Sequence, residues 1–479
     1  MKRITIAALG VSGLAFVLAG WAAAQGDQGT IDRIVDIGKH DSHLMKDLGG
    51  LCEIGSRLTG SPRLRKAQEW AAGKFRSYGL SNVHLEQWGE WPMGWEREPG
   101  TYAKMVRPFD IDMVFTSPDW TNGTNGPLRG AAVADPKTKA DFEKVRGKLK
   151  DAWVVTEGIP RRPRGGGEPP PVGDEQAQVQ KMVEEAGIAG RVYGARGELV
   201  ITFGNYREKT FDKHPKLRQV ILARSDMDRI KRNLDWGKEV VLECNLDYRW
   251  WKGPVPQYNV VAEIPGSEKP DEVVIVSGHL DSWDGPGSQG ALDNGTGSCT
   301  ALEAARILVK AHACPKRTIR FILWSGEEEG LLGSHAYVEA HKAEMDKISA
   351  VLVDDGGTDY QGGYVGPEVM RPMMEAAFGP SVKAFPEFPQ VYKVVSSIRR
   401  QESGSDHASF WKYNVPGFFT IETGRSDYNF IHHTQHDRIE YAIPEYLVQS
   451  ATNHAIVAYN LACADTLVPR QVPATTPAR

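Results

Sequence analysis

The chain has 479 residues, too many for one typical hydrophobic core, so two or three domains are expected. With 41% hydrophobic and 25% charged residues its composition is ordinary for a globular protein. A formal net charge of −4 is slight at this size and gives no reason to expect a nucleic-acid or anionic-membrane partner.

Residues 1–24 read as an address. Lys2 and Arg3 precede an apolar run over residues 4–18, and Ala22, Ala23 and Ala24 stand just before Gln25. A positive start, a short apolar stretch and small residues before a cleavage point describe a secretory signal peptide. The run is too short to span a bilayer comfortably, and no Cys follows that would take a lipid. The expectation is cleavage after Ala24, a periplasmic or secreted protein, and no membrane partner afterwards. Five cysteines remain, Cys52, Cys244, Cys299, Cys314 and Cys463, an odd number that leaves at least one without an intrachain partner. Cys299 and Cys314 bracket a predicted helix that would hold them roughly 20 Å apart, beyond disulfide reach. The absence of a CxxC pair argues against a cysteine zinc site.

A helix is predicted over residues 62–79, with Pro62 suited to its first turn and Leu64, Ala67, Ala71, Phe75 and Tyr78 on one face. Residues 82–87 alternate like a strand. Between 116 and 240 the character changes to short strands at 130–134 and 152–156, a Pro/Gly-rich loop at 160–172, a helix at 176–186 and another strand pair. No catalytic cluster falls there, and the stretch reads as an inserted domain. From residue 258 strands (259–264, 273–277, 318–324, 350–353) alternate with a helix at 296–311, the pattern of an α/β fold with a mostly parallel central sheet sandwiched by helices. The expected organisation is a signal peptide (1–24), a catalytic domain in two parts (25–115 and 241–466), the insert (116–240) and a disordered tail (467–479).

Polar clusters recur where the core strands end, which is where open α/β folds build their sites. Ser277-Gly278-His279-Leu280-Asp281 places His279 and Asp281 on the same side of a strand, so one can bind a metal while the other holds the ligand's second ring nitrogen. Alone it fits a surface His beside an Asp equally well. Asp293 opens a helix within a Gly-rich turn at 290–297, a position that an ordinary N-cap also explains; no Gly-Lys-Ser/Thr follows, which removes a phosphate loop. Glu327, Glu328 and Glu329 directly follow an apolar strand, where adjacent carboxylates can divide labour between holding a metal and accepting a proton. Asp354 and Asp355 end another strand, and only one of them is expected to face the site. His432, His433 and His436 crowd one turn with Asp437. Each cluster is weak alone. Together they supply imidazoles and carboxylates without thiolates, the donor mix of catalytic zinc, with cobalt or manganese as substitutes.

The stretches VVIVSGHLDSWD, GALDNGTG, LWSGEEEGLLGS, VDDGGT and HHTQHD resemble, in order and spacing, those of the co-catalytic dizinc exopeptidases, metallopeptidase family 28, and most of all its plasma glutamate carboxypeptidase and bacterial aminopeptidase group. The resemblance implies two Zn²⁺ per chain. His279 and Asp355 would bind one zinc, Glu328 and His433 the other, and Asp293 would bridge them. Glu327 would be the general base and Asp281 would orient His279. Asp354 is the competitor to Asp355, and His432 the competitor to His433. Some relatives carry a Tyr where this chain has His432, which leaves His432 and Tyr428 as oxyanion candidates. The insert resembles a protease-associated domain and would cap the cleft or support a homodimer.

The implied reaction is hydrolysis of short peptides or dipeptides by a two-metal-activated water. Which end of the peptide enters is open: Arg399, Arg400 and Arg425 could receive a substrate carboxylate, or could be surface residues. Ser405-Asp406-His407 cannot form a serine triad as consecutive residues, because their side chains diverge. Two other readings are a non-catalytic receptor or binding relative, which should have lost ligands, and a single-zinc glutaminyl cyclase-like transferase, against which the complete second ligand set argues.

Overall fold

The computed structural model describes residues 26–158, 173–204, 210–213, 215–396 and 404–471. The signal peptide, the loop at 160–172, Arg399 and Arg400 lie outside them. No described helix is long and apolar enough to cross a membrane.

The main sheet has eight strands in the order Ser81–Arg97, Tyr248–Ile264, Arg317–Trp324, Lys269–His279, Ile348–Val353, Gly417–Thr423, Tyr360–Gly366, Val391–Val394. Only its middle is continuously parallel, from Arg317–Trp324 across to Gly417–Thr423. On either side the neighbouring strand turns antiparallel, while the edge pair Tyr360–Gly366 and Val391–Val394 is again parallel, so the sheet is mixed, with four of its seven strand pairs parallel. The central strands are apolar at successive positions, such as Val274, Ile275 and Val276, because both faces are covered. Helices Gln28–His40, Pro62–Tyr78, Thr296–Lys310 and Pro444–Cys463 pack on one face, and Leu332–Ala340 lies on the other. The predicted helix at 62–79 forms as expected: Ser61 Oγ accepts Leu64 N–H at 3.1 Å, Pro62 fills the first turn, and Gly79 at φ 93° ends it.

The insert is larger than its composition suggests. Its own eight-stranded sheet begins with Tyr102–Arg107 and ends with Val241–Asn245, so the boundaries at 116 and 240 fall inside it. The reason lies in the two strands that carry it. Ser81–Arg97 and Tyr248–Ile264 run past the main sheet as an antiparallel ribbon, paired out to Arg97 opposite Tyr248, and the second sheet grows from its tip. No change of composition marks a strand that leaves one sheet and continues beyond it.

Residues 467–471, expected as the start of a disordered tail, pack on the body: Val468 is buried, its N–H reaches Ser349 Oγ at 3.0 Å, and Arg470 Nη2 donates to the Ile348 carbonyl at 3.0 Å. All five cysteines are free.

The helix Pro444–Cys463 is buried nearly all round, and it carries His454 at its centre. Burial pushes that imidazole down to about 3 from 6.5. The unfolded chain therefore binds the proton first as pH falls, and this group withdraws stability progressively from about pH 6.5 toward pH 3, by ~1.4 kcal/mol per pH unit. In urea unfolding at pH 7.5 and pH 5.5, His454→Gln should gain on the parent as the pH drops. An unchanged difference between the two pH values would show that His454 does not titrate this way.

Candidate metal centre

The parallel strands deliver their C-terminal ends to one edge of the sheet, and the polar clusters collect there. His279 is the last residue of Lys269–His279, Glu327 and Glu328 follow Arg317–Trp324, and Asp355 follows Ile348–Val353. Asp293 sits in the turn that opens helix Thr296–Lys310 and is joined to Asn294 by a cis peptide; His433 lies just beyond the short helix Tyr428–Ile431. His433 has φ 59°, a left-handed backbone that a non-glycine residue holds at a cost.

The side chains form two groups around one carboxylate. His279 Nε2 is 3.0 Å from Asp355 Oδ1, 3.4 Å from Asp293 Oδ1 and 4.0 Å from Glu327 Oε2. His433 Nε2 is 3.2 Å from Asp293 Oδ2 and 3.0 Å from Glu328 Oε2. Asp293 thus turns one oxygen to each imidazole. Asp355 faces the site, whereas the Asp354 carboxylate points away and accepts from Gln361 Nε2 at 2.7 Å. His432 lies farther out, 3.9 Å from Asp293 Oδ2 with its side chain 45% exposed, although its ring falls within the same donor group as Asp293 and His433. Tyr428 stacks on His432 at 4.9 Å, and both line a cleft of ≈ 300 Å³ with Asp293, Glu327, Glu328, Asp355 and His433. Asp281 approaches His279 chiefly through its backbone: Nδ1 is 3.0 Å from the Asp281 carbonyl and 3.6 Å from Oδ1.

The electrostatics are those of a site short of positive charge. Burial pushes Glu327 well up, and the neighbouring Asp355, Asp406 and Glu328 carboxylates add to it. Glu328 is pushed up to about 7, mainly by burial and opposed by His433. Burial pulls both imidazoles down, yet the surrounding carboxylates carry His279 and His433 well above the ordinary value. Asp293 Oδ2 and Glu328 Oε1 are buried and accept no hydrogen bond. Carboxylate oxygens buried without donors, set against imidazole nitrogens, are the chemistry of a divalent cation site, so the residues present fit zinc.

Most of the supporting residues carried no sequence signal. Arg57 is fully buried and ties together the two ends of the site, donating to the Leu280 carbonyl at 2.6 Å and to the Gly290 carbonyl at 2.6 Å. Thr59 Oγ1 donates to Asp281 Oδ2 at 3.1 Å. Asp437 Oδ1 accepts the N–H of Leu292 at 2.6 Å and of Asp293 at 3.3 Å, which sets the turn that presents Asp293. Of these only Asp437 had a marker, its four-residue spacing from His433. Arg425 lies apart from the site, paired with Glu445 at 2.7 Å on the surface. Residues 405–407 border the site: Ser405 lies against Asp355 and the Asp406 carboxyl adds to the rise of Glu327, while the His407 ring packs between Trp411 and Phe419.

Comparisons with known proteins place this geometry in context. The model of peptidase family M28 matches residues 259–458. Carboxypeptidase Q of Mus musculus is 31% identical over 447 residues, which cover 90% of this chain and 88% of that protein. Leucine aminopeptidase 1 of Pyrenophora tritici-repentis (strain Pt-1C-BFP) is 30% identical over 247 residues, 46% of this chain and 60% of that protein. Among solved structures, a peptidase M28 precursor from Shewanella amazonensis SB2B has 26% identity and a TM-score of 0.67, covering 93% of this chain and 99% of that one. The zinc aminopeptidase BSAP from Bacillus subtilis shares the fold, with a TM-score of 0.56 at 19% identity over 90% of this chain and 98% of its own.

Proposed function

Because the chain belongs to peptidase family M28, we propose that it is an exported two-zinc exopeptidase that hydrolyses short peptides or dipeptides. The observation that carries the reading is Asp293, one buried carboxylate with His279 3.4 Å from one oxygen and His433 3.2 Å from the other. In this reading His279 and Asp355 hold one zinc, Glu328 and His433 the other, and Asp293 both; cobalt or manganese could substitute. Bound there, the ions would polarise the substrate carbonyl and lower the pKa of the attacking water.

The chain's own groups supply the rest. Glu327 borders the cleft with its side chain 12% exposed, placed to take the proton of the attacking water and return it to the leaving amine. Asp281 fixes the His279 ring through Nδ1, so that Nε2 is left to the metal. Tyr428 is held protonated, because burial and then the Asp293 and Asp355 charges push its hydroxyl well up, and it is the better oxyanion donor. His432 is the second candidate. The insert, read as protease-associated-like, would cap the cleft or support a homodimer. The reading assigns it no nucleic-acid or membrane partner.

Zinc per chain and a panel of free, N-blocked and C-blocked dipeptides test the reading together. The expected result is two zincs and hydrolysis of free dipeptides, with whichever block abolishes turnover naming the end that is recognised. The names of the relatives point both ways, one a carboxypeptidase and one an aminopeptidase. One zinc per chain would favour the cyclase-like branch, and no zinc with no hydrolysis a binding protein.

A further inference from the structure

The inserted domain bonds to the turn that carries His433 through the segment Glu198–Thr202. Thr202 N–H donates to the backbone carbonyl of His433 at 2.8 Å. Two residues earlier, Val200 N–H donates to Gln435 Oε1 at 3.0 Å, and Gln435 Nε2 donates back to the Glu198 carbonyl at 3.0 Å. The turn carrying His433 is therefore bonded to the insert in the manner of a short strand pair, partly through a side chain.

Neither side of this contact is loose. Val200 and Thr202 are 1% and 2% exposed, and Thr202 Oγ1 bonds Thr116 Oγ1 at 2.7 Å inside the insert. Gly285, four residues past Asp281, is tight against Thr202: a Cβ there would lie 2.3 Å from the hydroxyl. His433 itself sits at φ 59°, a left-handed backbone that is uncommon for a residue other than glycine. On the catalytic-domain side, Gln289 N–H holds the Asp437 carbonyl at 2.8 Å, which fixes the far end of the turn, and the Trp283 ring packs edge-on against the His433 ring at 5.9 Å without bonding its backbone.

Resting on the two-zinc reading, we propose that the insert is a working part of the metal centre: its segment 198–202, engaged by Gln435 as a positioning residue, holds His433 in its ligating conformation. The consequence is asymmetric. His279 and Asp355 hang from central strands of the main sheet and need nothing from the insert, whereas the partner zinc depends on a turn braced from another domain. Loosening the brace should weaken one zinc and spare the other.

A double-mutant cycle on zinc affinity, read by chelator competition on the full chain, decides it. Gln435→Met removes both side-chain bonds at nearly constant volume, and Gln435→Ala serves as a second variant with less bulk. In the parent background either should weaken one of two zinc equivalents about 10-fold, the range typical of residues that orient a ligand. In a His433→Ala background, which retains only the other site, the same substitutions should change nothing. An unaltered affinity in Gln435→Met and Gln435→Ala, or equal weakening in both backgrounds, overturns the inference. A parent that takes up fewer than two zincs instead fails the two-zinc reading, so the two failures are told apart by the protein in which they appear.

Discussion

Glu327→Gln should lose about three orders of magnitude in kcat while keeping the zinc content of the parent. The substitution is nearly isosteric and removes only the ability to take and return a proton. Glu327 suits that task by position: it borders the cleft, 4.0 Å from His279 Nε2, and its buried carboxyl is pushed up by burial and by Asp355, Asp406 and Glu328. A carboxyl whose proton affinity is raised by burial can both take a proton and return it, as peptide hydrolysis requires. The adjacent Glu328 gives the contrast, because its oxygen lies 3.0 Å from His433 and its replacement should lower bound zinc. Steady-state kinetics on a dipeptide, with metal measured on the same sample, separate the two. Full activity in fully metallated Glu327→Gln would remove Glu327 as the base.

Arg97→Met should cost about 3–5 kcal/mol of stability, the largest single effect expected outside the metal centre. Arg97 ends the ribbon strand and is 4% exposed. Its guanidinium bonds Asp119 Oδ1 at 3.0 Å, Ser117 Oγ at 2.9 Å and Tyr248 OH at 2.7 Å, and its Nε reaches the Asp284 carbonyl at 2.7 Å. Asp284 keeps a second cation, Arg63, at 3.5 Å, but Asp119 has Arg97 as its only ion-pair partner among the described residues. Truncation thus leaves the Asp119 carboxyl, which burial already pushes well up, buried without its cation where the two sheets meet. Adding Asp119→Asn should recover a substantial part of the loss, since the buried carboxyl left without its cation is the main cost. Urea unfolding of the single and double variants checks both statements, and a single variant within 1 kcal/mol of the parent would sink the first.

The comparison between Asp354 and Asp355 shows where reading a sequence stops. Both follow the same strand, and alternation says that they face opposite ways. Which one faces the metals depends on the strand's rotation, and that is set by Gln361 drawing Asp354 to the other side. The ribbon shows the same limit on a larger scale. The alternation at 82–87 was legible, but its continuation to Arg97 was not, because the outer half of that strand serves a second sheet whose other strands lie far along the chain. Arg57 is the extreme case: an arginine in an ordinary loop, it touches the site only because the turn at 290 folds back over it.

By itself the sequence determined the chemistry on offer and its arrangement along the chain. A parallel α/β arrangement brings successive strand ends to one edge, so polar clusters placed after apolar strands must converge, and His279, Asp293, Glu327, Glu328, Asp355 and His433 do. Tertiary structure alone decided what depends on contacts between distant segments. Those are the antiparallel steps that border the parallel centre of the sheet, the extent of the second sheet, the side chains that brace the ligands, and the bonding of the His433 turn to a segment far along the chain. Periodicity is a property of neighbours in sequence, whereas bracing is a property of neighbours in space.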